Sequence, residues 1–149
     1  MRTDNVIAIM GRIMGQAHQL ISAELAHRGH SGLVPSHGAI LANLYEHGPL
    51  AMGELARRIH KRKNTVTTLV NKLEQGGYVE RSVSPEDSRV ALVSLTTKGE
   101  EFRPVFKEVS EILLQAVWGS MAEDEKQALA LGLARVLRNL ESGSGRGGA

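Results

Sequence analysis

The chain reads as a mainly α-helical fold with a small β-hairpin, and three observations predict it. Apolar residues recur at helical spacing through most of the 149 residues. One stretch in the middle switches to strict alternation, the period of a strand. Aromatic residues make up only 3% of the chain, so the core must come from Leu, Ile, Val, Ala and Met, a set that favours helices over sheets. At this length a single domain with a real core is expected, and with so few large rings that core is expected to gain from a partner subunit.

Each element follows from local chemistry. Val6, Ile9, Met10, Ile13, Met14, Ala17, Leu20, Ile21 and Leu25 are spaced for an amphipathic helix over about 5–26, with Thr3 or Asp4 placed to cap it. Two glycines within 27–32 end it. Pro35 opens a second helix that runs to about Glu46, with Ile40, Leu41 and Leu44 inward, and Gly48-Pro49 stops it. A short helix over 52–59 breaks near His60. Lys63–Gln75 forms the next, with Val66, Leu69, Val70 and Leu73 on one side and Gly76-Gly77 at its end. Residues 78–83 and 89–95 alternate as strands around the turn chemistry of 84–88, which makes one hairpin. Thr96 or Thr97 starts another helix, with Thr97 and Glu100 spaced as a capping box, and Pro104 is expected to bend it or tighten its first turns. A last helix begins near Met121 with acids in its first turn and with Leu129, Leu133, Val136, Leu137 and Leu140 as its apolar positions. Residues 142–149 are Gly/Ser-rich and are expected to be a disordered tail.

Several function classes are excluded early. The absence of cysteine removes disulfides, thiolate catalysis and cysteine zinc sites, and fits a reducing cytoplasm. Gly11 and Arg12 interrupt the N-terminal apolar run, so no signal peptide or membrane span is expected. There is no Gly-rich phosphate loop, nucleophile elbow or metal-hydrolase spacing, and Ser36-His37 are neighbours in sequence only; no catalytic residue and no cofactor is assigned. His27, His30 and His37 bracket one loop near Glu24, but Gly29 breaks the helix between them, so solvated histidines are the reading preferred to a metal site.

Charge points elsewhere. Net charge is +2, yet from Leu50 to Lys98 nine bases face five acids, whereas the rest of the chain has nine bases and eleven acids. A basic middle between acidic flanks suits contact with phosphates, although short basic runs are also ordinary solvated faces. The order of helix, short helix, turn, helix and hairpin is that of a winged helix-turn-helix, whose second helix enters the DNA major groove. On a helical wheel for Lys63–Gln75, Asn64, Thr68, Asn71 and Gln75 lie opposite the apolar side, with Thr65, Thr67 and Lys72 flanking. That solvent face is rich in hydrogen-bonding groups and nearly uncharged, as base reading requires. It follows five bases in the seven residues Arg57 to Lys63, of which Arg62 and Lys63 stand where phosphates are met. The hairpin adds Arg81, Asp87, Ser88 and Arg89; an arginine at a hairpin tip can enter the minor groove, held by the aspartate two residues before it.

Three segments in this order and spacing, GELARRI, NTVTTLVNKLEQGGYVER and PEDSRVALVSLTTKG, resemble the signature of the MarR family of transcription regulators, and the likeness extends over about 5–140. The resemblance implies DNA readers at Asn64, Thr65, Thr67, Thr68 and Asn71 and a wing pair at Asp87 and Arg89. Thr68 stands where the family commonly has arginine, Asn71-Lys72 where Asp-Arg is common, and His37 at a frequent glutamine position. These departures bear on which operator is read. The implied organisation is an N-terminal dimerisation helix (1–34), a winged helix-turn-helix (35–98), C-terminal dimerisation helices (99–141) and the tail. A homodimer would then read a pseudo-palindromic double-stranded operator, as a repressor, and a phenolic or other anionic aromatic effector would release it. His37, Ile40 and Leu41 are the candidate effector residues. Without cysteine, the family's thiol-based oxidant sensing is ruled out. The competing reading is a winged-helix module that binds protein and has no specific DNA affinity.

Overall fold

The computed structural model describes residues 2–144, which divide into two compact units at Leu113/Leu114. In the first unit, α1 (Val6–His27) starts after Asn5 without a side-chain cap. The expected cap from Thr3 or Asp4 is not formed, because Asp4 is drawn to Arg2 (Nε–Oδ1 3.1 Å). At its other end the His30 N–H closes onto the Leu25 carbonyl (2.8 Å). α2 (Pro35–His47) has Pro35 in its first turn and Gly48 at its C-cap. A two-residue strand, β1 (Leu50–Ala51), then leads into α3 (Met52–Arg58). His60, at φ 54°, turns the chain through the left-handed region, and its neighbour Lys61 donates back to Ala56 (3.1 Å).

α4 (Lys63–Gln75) has the bounds that its sequence predicts. Gly77, at φ 82°, ends it: its N–H bonds the Glu74 carbonyl (2.9 Å) and the Tyr78 N–H bonds the Leu73 carbonyl (2.9 Å). That is the Schellman pattern, which needs a residue without a Cβ cost at φ > 0. β2 (Val79–Val83) and β3 (Ala91–Leu95) form the expected hairpin, with Val79 opposite Leu95 and Val83 opposite Ala91. The hairpin does not stand alone, because β1 pairs with β3 to give an antiparallel sheet ordered β1-β3-β2. α5 (Thr97–Trp118) is capped by Thr96, whose hydroxyl accepts from the Gly99 N–H (3.1 Å), and not by Thr97 with Glu100 as expected. It is one unbroken helix through Pro104. The core of this unit joins Leu25 of α1, Ile40, Leu41 and Leu44 of α2, Leu55 of α3, Val66, Val70 and Leu73 of α4, Val93 of β3 and Phe102 of α5.

The second unit holds the end of α5 and α6 (Glu123–Ser144). Glu125 accepts from the Ala122 N–H (2.8 Å), which satisfies a donor that the first turn would leave orphaned. α6 takes in Ser142, Gly143 and Ser144, so the helix reaches further than the expected tail boundary; 145–149 lie outside the described residues. Among the described residues no helix is long and apolar enough to cross a membrane.

Candidate nucleic-acid interface

α4 presents three bases at its start. Lys61, Arg62 and Lys63 are exposed, and among the described residues no ion pair holds them. The other two bases of the run differ: Arg57 and Arg58 both pair with Glu54 (Arg58 Nε–Oε1 3.0 Å). Burial of Val66, Val70 and Leu73 turns Asn64, Thr65 and Thr68 outward, with Thr67 half-buried beside them. The hydroxyls of Thr67 and Thr68 donate to the carbonyls of Lys63 (2.9 Å) and Asn64 (3.1 Å). Their protons are therefore committed, and each threonine shows solvent an acceptor lone pair and a methyl group. Asn64 accepts from the Thr65 N–H (2.9 Å), which leaves its amide NH₂ as the outward donor.

The hairpin contributes two arginines in different ways. At the tip, Arg89 donates to both oxygens of Asp87 (Nε–Oδ1 and Nη2–Oδ2 each 3.1 Å), and its own N–H bonds Oδ1 (3.0 Å). This bidentate pair holds the Asp87 carboxyl below its usual range and fixes an arginine whose side chain is 89% exposed. Ser88 lies exposed between them. Arg81 does not reach outward in this way. It donates to the Asn71 amide oxygen and to Glu74 (3.3 Å), and its N–H also bonds Glu74 (3.2 Å). The Glu74 carboxyl is held below its usual range chiefly by the Arg81 hydrogen bond. Arg81 thus ties β2 to α4 and orients Asn71. Glu74 joins the site only through this tertiary contact, and nothing in the local pattern marks it. Lys72 is exposed but leans on the α1–α2 loop, its Cε 4.0 Å from where a Cβ would stand at Gly32.

The three candidate effector residues are all buried, but they do not share one cavity. Leu41 lines a cavity of about 250 Å³ together with Ile21, Leu25, Leu33, Val34, Pro35, Gly38, Phe102, Phe106, Val109, Ser110 and Leu113; His37 and Ile40 do not. His37 accepts the Val34 N–H through Nδ1 (2.9 Å), so the neutral ring carries its proton on Nε2, which has no partner among the described residues. Burial, and then the charge of Lys72, push the His37 pKa down. His30 is engaged through Nδ1 with the Tyr78 hydroxyl (2.7 Å), and Glu24 with Arg28. Among the described residues no three His, Asp or Glu side chains group to hold a metal. Tyr78, Phe102, Phe106 and Tyr45 form a chain of ring contacts (centroids 5.3, 6.5 and 5.3 Å apart) from the end of α4 past the cavity.

Taken together, a short helix, a left-handed turn, an outward-facing polar helix and a paired hairpin make this protein a winged helix-turn-helix. Residues 33–91 match the MarR family. Over 103 residues the chain is 31% identical to an uncharacterized HTH-type transcriptional regulator, YfiV, of Bacillus subtilis, covering 69% of this chain and 64% of that one. It spans 53–64% of the length of three curated Bacillus subtilis relatives. A probable transcriptional regulator from Pseudomonas aeruginosa, 29% identical, superposes with a TM-score of 0.72 over 91% of this chain and 99% of its own. The MepR–DNA complex of S. aureus has the same fold at 20% identity, with a TM-score of 0.78 over 93% of this chain and 98% of its own. Residues 33–91 are thus similar to the MarR family, and these relatives are named as transcriptional regulators.

Proposed function

We propose that the protein is a cytoplasmic transcription regulator that binds a specific double-stranded operator as a homodimer and acts as a repressor. The observation that carries this is the outward face of α4: uncharged donors and acceptors at Asn64, Thr65, Thr67 and Thr68, preceded by three exposed bases that no ion pair holds among the described residues and flanked by an arginine pinned at the hairpin tip. Unpaired cations supply sequence-independent phosphate affinity; amides, hydroxyls and methyls discriminate base edges. Arg89 is the candidate for minor-groove contact, and the pairing with Asp87 lowers the entropy lost when it docks. DNA bound to the S. aureus MepR structure supports the same use of the fold.

Dimerisation is supported by apolar side chains left on the surface of a single chain. Ile7, Ile13 and Met14 of α1 are exposed in the first unit, and Leu129, Leu131, Leu133 and Leu137 of α6 are exposed in the second. A two-fold dimer would set two α4 helices about 34–36 Å apart and so read a pseudo-palindrome. Release by a small molecule is supported by the cavity, whose walls include the α1, α2 and α5 side chains that also pack on the reading module.

The test is binding of the purified protein to duplex DNA from upstream of its own gene, titrated against salt, beside Arg89→Ala. Saturable binding that falls steeply with salt is expected, with an affinity for the variant lower by about tenfold. Absence of binding at moderate salt would overturn the proposal and leave protein interaction as the use of the winged helix.

A further inference from the structure

We propose that the cavity walled by α1, α2 and α5 accepts uncharged lipophilic molecules of one or two rings and rejects anions, so that a neutral compound is the effector and not an anionic aromatic one. The consequence for DNA rests on the functional reading above; the selectivity stands on the cavity alone.

Size comes first. A cavity of about 250 Å³ lined by leucine, isoleucine and phenylalanine is somewhat larger than the roughly 150 Å³ space that holds a single benzene ring. Chemistry comes second. Ser110 is the one polar side chain among its lining residues, and its hydroxyl proton is committed to the Phe106 carbonyl (2.7 Å). What it offers a ligand is a lone pair, which suits a ligand O–H or N–H and repels a carboxylate.

Two sources of positive potential could still welcome an anion, and both are closed. The N-terminus of α2 borders the cavity, and a helix start ordinarily binds anions through its free N–H groups. Here Pro35 has no N–H, the Val34 N–H is taken by His37 Nδ1 (2.9 Å), and the His37 N–H bonds the Val34 carbonyl (2.9 Å). Ser36 keeps its N–H but is not a lining residue. The second source is Arg28, which joins the end of α1 to α5. It is held between Glu24 and Glu108 (Nη2–Oε1 3.0 Å), outnumbered by carboxylates and outside the lining. The unpartnered Nε2–H of His37, like the Ser36 N–H, is not on the lining, so an ionised ligand would lose water there and meet no donor among the lining residues, which disfavours binding.

The experiment is calorimetric titration of the full chain, without DNA, with 2-naphthol and with 2-naphthoate at neutral pH. Gly38→Ala is titrated beside it, because a Cβ at Gly38 would meet the Phe106 ring at 3.7 Å, an ordinary contact that fills cavity space without forcing the fold apart. Naphthol should bind at least about tenfold more tightly than naphthoate, a difference of about 1.4 kcal/mol. Gly38→Ala should weaken naphthol severalfold. Naphthoate binding as tightly as naphthol, binding of neither, or indifference of naphthol to Gly38→Ala would each overturn the inference. A second arm adds the two compounds to the operator complex, where naphthol alone should release DNA. A chain that keeps the naphthol preference but never binds DNA would refute the regulator reading and leave the selectivity standing.

Discussion

A methyl group on Gly99 has no space to occupy. Its Cβ would lie 2.1 Å from the Tyr78 carbonyl oxygen and 3.1 Å from Leu95 Cδ2, and the nearer neighbour is backbone, not the end of a flexible side chain. That carbonyl already accepts the Thr96 N–H (3.1 Å), and the Gly99 N–H is itself bonded to the Thr96 hydroxyl (3.1 Å). Gly99→Ala must push the first turn of α5 away from the end of α4 and strain both bonds. Overpacking costs about 1–3 kcal/mol. Weakening the Thr96 cap adds about 1 kcal/mol. Helix propensity returns at most about 1 kcal/mol, less in a first turn. The net expectation is a loss of about 2 kcal/mol, or roughly 4–8 °C in melting temperature for a chain of this size. Gly38→Ala is the matched control. It is the same chemical change in a helix, but the new methyl meets only ordinary van der Waals contact, so a gain of about 0.5–1 kcal/mol is expected. Thermal unfolding followed by circular dichroism, at one protein concentration so that any self-association contributes equally, reads both. A Gly99→Ala protein that melts with or above the wild type would refute the reasoning, because α5 would then be free to slide along Tyr78.

Two further perturbations separate other parts of the site. Arg81→Ala releases Asn71 and Glu74 together, so discrimination between operator and random duplex should fall by roughly tenfold while the salt slope barely changes. A slope reduced by about 0.9 for each Arg81 lost would place that residue on phosphate instead. His37 concerns stability. Burial and Lys72 hold its folded pKa below the ordinary value of 6.5, so the unfolded chain takes up a proton that the folded chain refuses. The neutral ring's contribution is complete above about pH 6.5 and is lost as pH falls toward the folded value. Chemical denaturation at about pH 7 and about pH 5.5 should show a smaller loss for His37→Gln than for wild type; equal losses would clear His37 of the acid sensitivity.

The sequence makes legible what local periodicity encodes. α4 kept both of its predicted ends because Val66, Val70 and Leu73 set a clear stripe and Gly76-Gly77 closes it. The turn between Asp87 and Arg89 is a contact over two residues, and the geometry of that pair is what such spacing suggests. β1 was invisible because two residues have no period; Leu50 and Ala51 become a strand only through pairing with Val93 and Leu92. The cap of α5 slipped by one because Thr96 and Thr97 are chemically alike, and the close approach of Gly99 to Tyr78 decides between them. The bond from Arg81 to Asn71 spans ten residues across the Gly76-Gly77 turn that joins α4 to β2, which no helical wheel anticipates. Burial of His37 had a usable signal. It stands three and four residues before Ile40 and Leu41 and seven before Leu44, on the same buried stripe of α2.

The aromatic chain beside the cavity gives the molecule an optical property. Both of its tyrosines belong to that chain, and neither hydroxyl is free: Tyr45 donates to the Gly99 carbonyl (2.8 Å) and Tyr78 shares a hydrogen with His30. Burial pushes the Tyr45 phenol up to about 12 and raises Tyr78 as well. In mild alkali, where a solvated phenol already ionises, the folded protein keeps its tyrosines colourless in the phenolate band. Phenolate absorbance therefore dates the opening of the region that links the cavity to α4, and no label has to be attached to see it.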